Sequence, residues 1–355
     1  MKVIVLYNRL FHYRIPVWNI LAEKCDLTVA YSQGNADLPS GMEVKFKIMH
    51  LPIRTYFGRI VCQKDNISKL VKQFDAAIIY GDISWVKYIT VPWFHKTPVV
   101  FHTIGVSASY NKKYDSNKRW DFLRCKLYNR AGALAFYTDY PIEKYVRMGI
   151  KREKMFVANN TVEVHPLSEK SEKNTILMVG TLYRQKGVQV LLDAYERLEG
   201  KYNLPELNII GNGPDFDFIK GWIQSHNMEE LIHLRGAIYD IDKKATYFSQ
   251  ALACVSPCQA GLTVLESMGY GVPFITTKDA ISGGEIFNIH NYIDGVILDQ
   301  TDDFDQVIID IVENKCKYIE MGEKAQEFYN NYRKPEHMAQ GLWSALTYSL
   351  ENQGQ

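Results

Sequence analysis

Residues 175–198 read TILMVGTLYRQKGVQVLLDAYERL, and this stretch decides the fold class. Its first five residues are almost all apolar, which is typical of a buried strand of a parallel sheet. Gly180 follows at once, and residues 188–198 carry apolar side chains at helical spacing. A strand, a glycine turn and a helix in this order form the repeating unit of a doubly wound α/β sheet.

The same alternation occurs along the rest of the chain. In the first half we predict strands at 3–6, 27–31, 76–79 and 99–101, and helices at 15–24, 66–73 and 118–130. In the second half we predict further strands at 207–210, 252–255 and 273–276, and helices at 216–225 and 262–268. A polar segment at 166–174 separates the halves, and residues 336–350 predict a closing amphipathic helix. The chain therefore has two successive α/β domains.

Composition is that of a globular protein. The 355 residues are 46% hydrophobic and 23% charged, which excludes a disordered, collagen-like or low-complexity chain. No apolar run approaches the ~18 residues of a membrane span, and neither a signal peptide nor an anchor is visible. The six cysteines show no Cys-x-x-Cys pairs, so we expect no disulfide framework and no zinc site. A reducing cytoplasm is the expected location.

Charge is distributed unevenly. Residues 1–165 hold 25 Lys and Arg against 13 Asp and Glu, a net charge of +12, whereas residues 166–355 hold 16 against 27, a net charge of −11. The basic half predicts an anionic partner, either a phosphate-bearing substrate or an acidic lipid surface. Because its basic residues form no dense runs, we expect no nucleic-acid partner.

Two clusters in the second half carry candidate chemistry. Gly180 allows a ligand to approach the backbone after a strand, and Arg184 and Lys186 place two cations beside it, although a turn with solvated cations is an equal alternative. In SPCQAGLTVLESMGYGVPFIT, residues 256–276, a helix begins near Thr263, a plausible cap, so exposed amides could hold a phosphate. Glu266 lies in this apolar helix and needs a ligand or a salt bridge.

The glycines at 211 and 213 do not complete a dinucleotide fingerprint. The third glycine of G-x-G-x-x-G would fall on Phe216, and Pro214 stiffens the loop. A nicotinamide cofactor is therefore disfavoured, and a tight turn after a buried strand is the simpler interpretation.

Four motifs together resemble glycosyltransferase family 4. In order and spacing they are Gly180 with Lys186-Gly187, the turn Gly211-Asn212-Gly213-Pro214, Arg235-Gly236, and Gly261-Leu262 followed by Glu266 and Gly271-Val272-Pro273. Members of that family are retaining enzymes of the GT-B fold that use nucleotide sugars. The resemblance implies two Rossmann-like domains facing across a cleft, an acceptor domain over 1–165 with 336–355, and a donor domain over 166–335. It also implies a C-terminal helix that crosses back to the N-terminal domain.

The resemblance also implies roles for particular residues. Arg184 and Lys186 match the cations that bind the donor diphosphate, and Glu266 matches the acid that binds the ribose. The remaining donor-binding candidates are Gly180, Gly236, Ala237, Ile238, Gln259, Gly261, Leu262 and Thr263. No metal and no cofactor beyond the nucleoside-diphosphate sugar are implied.

The sequence departs from the family pattern in two places. The first acid of the Glu-x7-Glu motif would fall on Cys258, so Gln259 or the backbone would have to replace its contact with the sugar. The glycine-rich loop after the first strand is replaced by a basic one, in which Arg9, His12 and Arg14 are candidates for binding the acceptor. An exposed basic loop is the equal alternative.

A histidine of the first half is a further candidate. His102 lies at the carboxyl end of a predicted strand, where ligands of open α/β sheets bind. The resemblance makes it a catalytic residue that contacts the transferred sugar. A packed core histidine is an equal alternative.

Two basic and aromatic stretches bear on partners. Residues 118–127, preceded by Lys112 and Lys113, alternate cations with Trp and Phe in a helical frame, and residues 54–60 are similar. With the basic first half, they favour shallow membrane contact and a saccharide acceptor that is lipid-linked. We therefore expect a retaining glycosyltransferase of surface polysaccharide or glycolipid assembly, cytoplasmic or peripheral on the inner face of the membrane. The alternatives are a GT-B epimerase or hydrolase and a non-catalytic nucleotide-sugar-binding subunit.

Overall fold

The computed structural model describes residues 1–39, 41–108, 113–166 and 171–353, and its chain divides into two compact units. The N-terminal unit comprises Met1–Ser107, Asp115–Val162 and Arg333–Gln355, and the C-terminal unit comprises Ala108–Tyr114 and Glu163–Tyr332. The predicted polar boundary, 166–174, includes residues 167–170, which lie outside the described part of the chain.

The N-terminal unit is built on a parallel sheet. Its described strands are β1 (Lys2–Leu6), β2 (Asp26–Tyr31), β3 (Lys47–His50), β4 (Ile53–Tyr56), β5 (Ile60–Gln63), β6 (Ala76–Tyr80), β7 (Val99–Thr103), β8 (Ala133–Phe136) and β9 (Met155–Val157). Its first helices are α1 (Ile15–Ala22), α2 (Ile67–Val71), α3 (Val86–Ile89), α4 (Val91–Phe94), α5 (Asp121–Tyr128) and α6 (Tyr140–Arg147). The sheet order is β3-β2-β1-β6-β7-β8-β9, whereas β4 and β5 form a separate antiparallel hairpin.

Burial on both faces explains why these strands are continuous apolar runs. Along β1, Ile4 and Leu6 pack into one core cluster, and Val3 and Val5 pack into the cluster on the other face. In register, Val5 pairs with Val29 of β2 on one side and with Ile78 of β6 on the other. Residues 3–6 of β1 are thus buried on both faces, as a parallel sheet between helices requires.

The C-terminal unit repeats this architecture. Its described strands are β10 (Thr175–Val179), β11 (Glu206–Ile210), β12 (Ile232–Gly236), β13 (Ala251–Val255), β14 (Gln259–Ala260), β15 (Phe274–Thr277), β16 (Ile281–Ser282) and β17 (Gly295–Leu298). Its helices are α7 (Val188–Leu198), α8 (Phe216–Ser225), α9 (Ile241–Ser249), α10 (Thr263–Gly269), α11 (Phe304–Glu313) and α12 (Lys315–Tyr332). The parallel sheet has the order β12-β11-β10-β13-β15-β17, and β14 pairs with β16.

The last helix, α13 (Pro335–Glu351), belongs to the N-terminal unit. Met338, Leu342 and Leu346 are buried in the same core cluster as Trp18 of α1. A Cβ at Gly341 would lie 2.2 Å from the carbonyl oxygen of Val157, so a glycine is required where the helix crosses β9. The predicted return of the C-terminal helix to the N-terminal domain is therefore confirmed.

The helix predicted at 118–130 is present as α5, which is shorter and runs from Asp121 to Tyr128. Two other local predictions were wrong. Residues 54–60 belong to the β4–β5 hairpin, in which Tyr56 pairs with Ile60, and not to a helical frame. Thr263 does not cap its helix: Leu262 occupies the N-cap position without a side-chain hydrogen bond.

Among the described residues, no helix combines the length and the apolar character that a bilayer span requires.

Candidate functional site

Three predicted loops of the C-terminal unit meet at the carboxyl edge of its sheet. Gly180 follows β10, Gly211 follows β11, and Gly236 ends β12, which are neighbouring strands. The Gly180 amide donates to the Ile210 carbonyl at 2.9 Å, and the Gly211 amide donates to the Gly236 carbonyl at 2.9 Å. These backbone bonds hold the loops at the edge where ligands of open α/β sheets bind.

The turn at 211–214 packs directly against the loop after β10. A Cβ at Gly211 would lie 1.9 Å from the Gly180 carbonyl oxygen, and one at Gly213 would lie 2.2 Å from the Leu182 carbonyl oxygen. The two glycines are needed for this close approach of two backbones. The tight-turn interpretation of this segment agrees with the geometry.

Lys186 is the buried cation of the site. It ends the short 3-10 turn Arg184–Lys186 and is 4% exposed. A Cβ at Gly180 would lie 2.7 Å from the Lys186 ammonium nitrogen, so the glycine leaves room for it. Burial lowers the pKa of Lys186 to about 8, although the negative charge of Glu266 acts in the opposite direction. The structure thus places a desolvated positive charge directly after β10.

Arg184 begins the same turn but is exposed. The predicted pair of cations therefore consists of one buried ammonium and one guanidinium in solvent. Only the buried member is fixed by its surroundings.

Glu266 of α10 forms an ion pair with Lys244 of α9. The carboxylate oxygen lies 2.5 Å from the ammonium nitrogen, and the two side chains are 12% and 24% exposed. This is the salt bridge that the sequence left open as an alternative partner for Glu266. Lys244 was not predicted, since 22 residues separate it from Glu266; the Lys243-Lys244 pair following Gly236 is the only local signal. Glu266 is thus paired with Lys244, and its charge also acts on Lys186.

Backbone hydrogen bonds form the first turn of α10. The Val264 amide donates to the Gly261 carbonyl at 2.9 Å, and the Glu266 amide donates to the Leu262 carbonyl at 3.0 Å. Thr263 is already a helical residue, so its side chain cannot act as the N-cap. Gly261, Leu262 and Thr263 are each partly exposed at this edge.

The other predicted donor-binding residues lie on the neighbouring loops. Gly236 has a φ of +71° and open space beside its Cα. Ala237 is exposed, and Ile238 is partly exposed. Gln259 lies in β14, where it pairs with Ile281. Their binding roles remain predictions.

Cys258 occupies the position of the first acid in the family motif. Its amide donates to the Lys186 carbonyl at 3.4 Å, and a Cβ at Gly187 would lie 2.6 Å from its sulfur. Burial raises the pKa of the Cys258 thiol, so it is neutral at neutral pH. An uncharged side chain therefore stands beside the Lys186 turn at this position.

His102 lies in the N-terminal unit at the carboxyl end of β7 and has no exposed surface. Its Nδ1 is 2.6 Å from the Tyr7 hydroxyl, which is 3.0 Å from the Tyr137 hydroxyl. Burial and the positive charge of Arg14 hold the pKa of His102 well below its usual value, so the ring is neutral. This packing agrees with the core-histidine alternative, and contact with a sugar remains a prediction.

The three predicted acceptor-binding residues have different environments. Arg9 is exposed. His12 is also exposed, and its Nδ1 lies 2.6 Å from the Asp37 carboxylate. Arg14 is 4% exposed and donates to the Met338 sulfur at 2.8 Å, within the core of the N-terminal unit. Only Arg9 and His12 therefore match the exposed basic loop that the sequence predicted.

Within the described part of the chain, no group of three or more His, Cys, Asp and Glu side chains could hold a metal ion.

Comparison with known proteins gives a family match and a set of structural neighbours. Residues 161–334 match the family described as Glycosyl transferases group 1. Poly(glycerol-phosphate) alpha-glucosyltransferase of Bacillus subtilis (strain 168) is 23% identical over 243 residues, which cover 64% of this chain and 35% of that protein. The chain spans about a third to a half of the length of the curated relatives it matches.

Solved structures match almost the whole chain. Anabaena HepE in complex with UDP has a TM-score of 0.72 at 14% identity, with 98% of this chain and 100% of that chain covered. TarM has a TM-score of 0.70 at 12% identity, with 97% of this chain and 98% of that chain covered. The fold is therefore that of the GT-B glycosyltransferases. The family match covers the part of the chain that holds Lys186 and Glu266.

Proposed function

We propose that the chain is a glycosyltransferase that moves a sugar from a nucleoside-diphosphate sugar to a hydroxyl group of a saccharide acceptor. The observation that carries this proposal is Lys186, a buried ammonium at the carboxyl edge of a parallel sheet and near Glu266. A buried charge is costly unless it has a partner. A diphosphate supplies negative charge at the edge where such sheets bind ligands.

The donor would extend across the loops of this edge. Lys186 and Arg184 hold the diphosphate, the amides at 261–263 hold its distal phosphate and the sugar, and Glu266 binds the ribose hydroxyl groups. Gly236, Ala237 and Ile238 contact the base. Both HepE and TarM have been crystallised with UDP, so uridine diphosphate is the first nucleotide to test.

The reaction breaks the bond between the anomeric carbon and the diphosphate oxygen and forms one from that carbon to the acceptor oxygen. Negative charge develops on the leaving diphosphate, where Lys186 and Arg184 stabilise it, and we propose that these cations suffice without a metal ion. The acceptor hydroxyl loses its proton to the departing diphosphate. Attack on the same face as departure retains the anomeric configuration.

The acceptor is proposed to be a lipid-linked saccharide of surface polysaccharide or glycolipid assembly. The positive N-terminal half and the name of the poly(glycerol-phosphate) relative support an acceptor that carries phosphate. Phe57 of the β4–β5 hairpin is 93% exposed and Phe122 of α5 is 78% exposed, each near basic residues, which supports shallow contact with the cytoplasmic face of a membrane. Lys112, part of the predicted basic stretch, lies outside the described residues.

The test combines binding with product analysis. Calorimetry should show that UDP binds the wild-type protein, and that Lys186→Ala and Glu266→Ala each lose most binding and transfer while the circular dichroism spectrum is unchanged. Loss of Lys186 should remove about 2–4 kcal/mol of transition-state stabilisation. Lys220→Ala, an exposed lysine of α8, is the matched control and should behave as wild type.

Products distinguish the alternatives. Transfer with retention, seen by NMR of the new anomeric proton, supports the proposal. Free sugar or an epimer formed without acceptor would replace it with a hydrolase or epimerase, and UDP binding without turnover over a broad acceptor panel would indicate a non-catalytic subunit. Near wild-type turnover in either alanine variant would refute the site.

A further inference from the structure

The N-terminal unit contains a second concave site, at the amino edge of its sheet. A cavity of about 620 Å³ lies where the chain enters β7, β8 and β9. Its walls are the loops before these three strands and the C-terminal end of α13. His102 is at the carboxyl end of β7, so the cavity is on the opposite edge of the sheet from that residue.

Each of the three loops places positive charge on the cavity. Lys96 precedes β7, Arg130 precedes β8, and Lys151 and Lys154 precede β9. Among the residues that line it, Glu153 is the only carboxylate, and it is 4.0 Å from the Lys151 ammonium nitrogen. That pair is long and exposed, so it neutralises little of the charge.

Contacts within the walls fix several of these groups. The Lys154 ammonium donates to the Asn129 carbonyl at 3.0 Å, and the Arg130 guanidinium lies 4.6 Å from the centre of the Trp93 ring. The side-chain amide of Gln353 donates to the Lys96 carbonyl at 2.7 Å and connects the end of the chain to the first loop. The charged wall is therefore organised without a ligand.

The charge in this wall is only partly balanced. Lys154 is half-buried, and burial together with the positive charge of Lys151 lowers its pKa. Four cations around one concave surface focus a positive potential and attract anions. An anion with two negative charges could contact several of them at once, as phosphate does with lysine and arginine.

We propose that this amino-edge cavity binds a phosphate ester. Its volume lies in the range of about 300–1,000 Å³ of small-molecule sites and exceeds what a bare phosphate fills, so the group attached to the phosphate also enters the cavity. That phosphate belongs either to a soluble ester or to the headgroup of a lipid, which share this chemistry. The site is separate from the proposed donor site and does not depend on it.

The experiment compares two double variants of the full chain that remove the same charge. Arg130→Gln with Lys151→Gln changes two exposed residues of the cavity, and Lys2→Gln with Lys24→Gln changes two exposed residues elsewhere in the same unit. Calorimetry with glycerol 3-phosphate is carried out in saturating UDP, which occupies the proposed donor site, and is repeated with the Lys186→Met variant. Any binding of glycerol 3-phosphate to the C-terminal unit is recognised in this way. The cavity variant should bind at least about tenfold more weakly than wild type, and the control should bind as wild type does.

Co-sedimentation with vesicles distinguishes the two sources. A lipid headgroup is identified if the protein binds phosphatidylglycerol vesicles but not phosphatidylcholine vesicles and has no affinity for glycerol 3-phosphate. This vesicle binding should be lost only in the cavity variant. Affinity for glycerol 3-phosphate alone identifies a soluble ester. The proposal is overturned if neither probe binds, if both double variants weaken binding equally, or if the cavity variant loses thermal stability while binding is unchanged. In that last case the cations serve only the carbonyl dipoles at the end of α13.

Discussion

Replacing Lys186 by methionine should stabilise the protein at pH 7 while removing its affinity for a diphosphate. Lys186 is 4% exposed, and burial lowers its pKa from 10.5 to about 8. One pKa unit corresponds to about 1.4 kcal/mol, so keeping the ammonium charged in the folded state costs about 3 kcal/mol. Methionine retains the unbranched apolar stem without the charge. We therefore expect K186M to raise the free energy of unfolding by up to about 3 kcal/mol.

The stability gained by K186M should depend on pH, because the charge of Lys186 does. Below pH 8 both the folded and the unfolded chain carry the protonated Lys186, and the full cost of burial is present. Between about pH 8 and 10.5 the folded protein has released the proton and the unfolded chain still holds it, so the stability of the wild type rises with pH. K186M has no such group, and its advantage should shrink to zero across this window.

Urea unfolding at pH 7 and pH 10, followed by tryptophan fluorescence, measures both quantities. K220M, at an exposed lysine of α8, is the matched control and should change stability little at either pH. Calorimetry on the same samples should show UDP binding to wild type and K220M but not to K186M. The reasoning is refuted if K186M is less stable than wild type at pH 7, or if its advantage is the same at both pH values.

Three further predictions follow from individual contacts. UDP affinity should fall as pH rises through about 8, because Lys186 becomes neutral, and K186R should abolish this dependence; a flat wild-type profile in calorimetry would argue against a role for Lys186. G211A should lower the free energy of unfolding by about 1–3 kcal/mol because its Cβ would meet the Gly180 carbonyl, whereas G221A, with open space in α8, should not; equal melting temperatures for the two would contradict this. Y7F should cost about 1 kcal/mol because His102 Nδ1 loses its hydroxyl partner, and an unchanged urea midpoint would contradict it.

The repeated α/β units could be predicted because their signals are local. A parallel strand buried on both faces is a short apolar run, and a helix that follows it has its own apolar periodicity. Residues 175–179 and 188–198 were recognised with the bounds that the structure gives to β10 and α7. Gly180 was recognised because it interrupts that pattern between strand and helix.

Other parts of the fold had no local signal. The strands β3 and β4 are largely exposed, and β5 has only four residues, so their apolar content did not distinguish them from loops. The hairpin at 54–60 is defined by pairing of Tyr56 with Ile60 across Phe57, which has a φ of +50°. Propensity alone does not predict such a turn at a bulky residue.

The candidate site could be predicted only in part, because contacts between distant segments also leave no local signal. Lys186 and Glu266 are candidates from the sequence, but the ion-pair partner of Glu266, Lys244, lies on a helix that the sequence did not predict. Likewise, Tyr7 and Tyr137, which contact His102, follow β1 and β8 and are distant from it in sequence. These partners are set by the order of strands in the sheets, which the pattern along the chain does not contain.

Net charge was a poor guide to where an anion would bind in this protein. The half of the chain with a net charge of −11 contains Arg184, Lys186 and Lys244, which lie on the elements forming the candidate diphosphate site. Charges farther apart than about 10 Å are largely screened at physiological salt, so the few groups around one edge decide binding there. The charge of +12 on the other half steers anions toward the protein at longer range. It can form a binding site only where the order of the strands brings several cations together, as in the proposed amino-edge cavity. The location of each proposed anion site therefore follows from sheet topology, because the order of the strands determines which loops, and hence which cations, are neighbours.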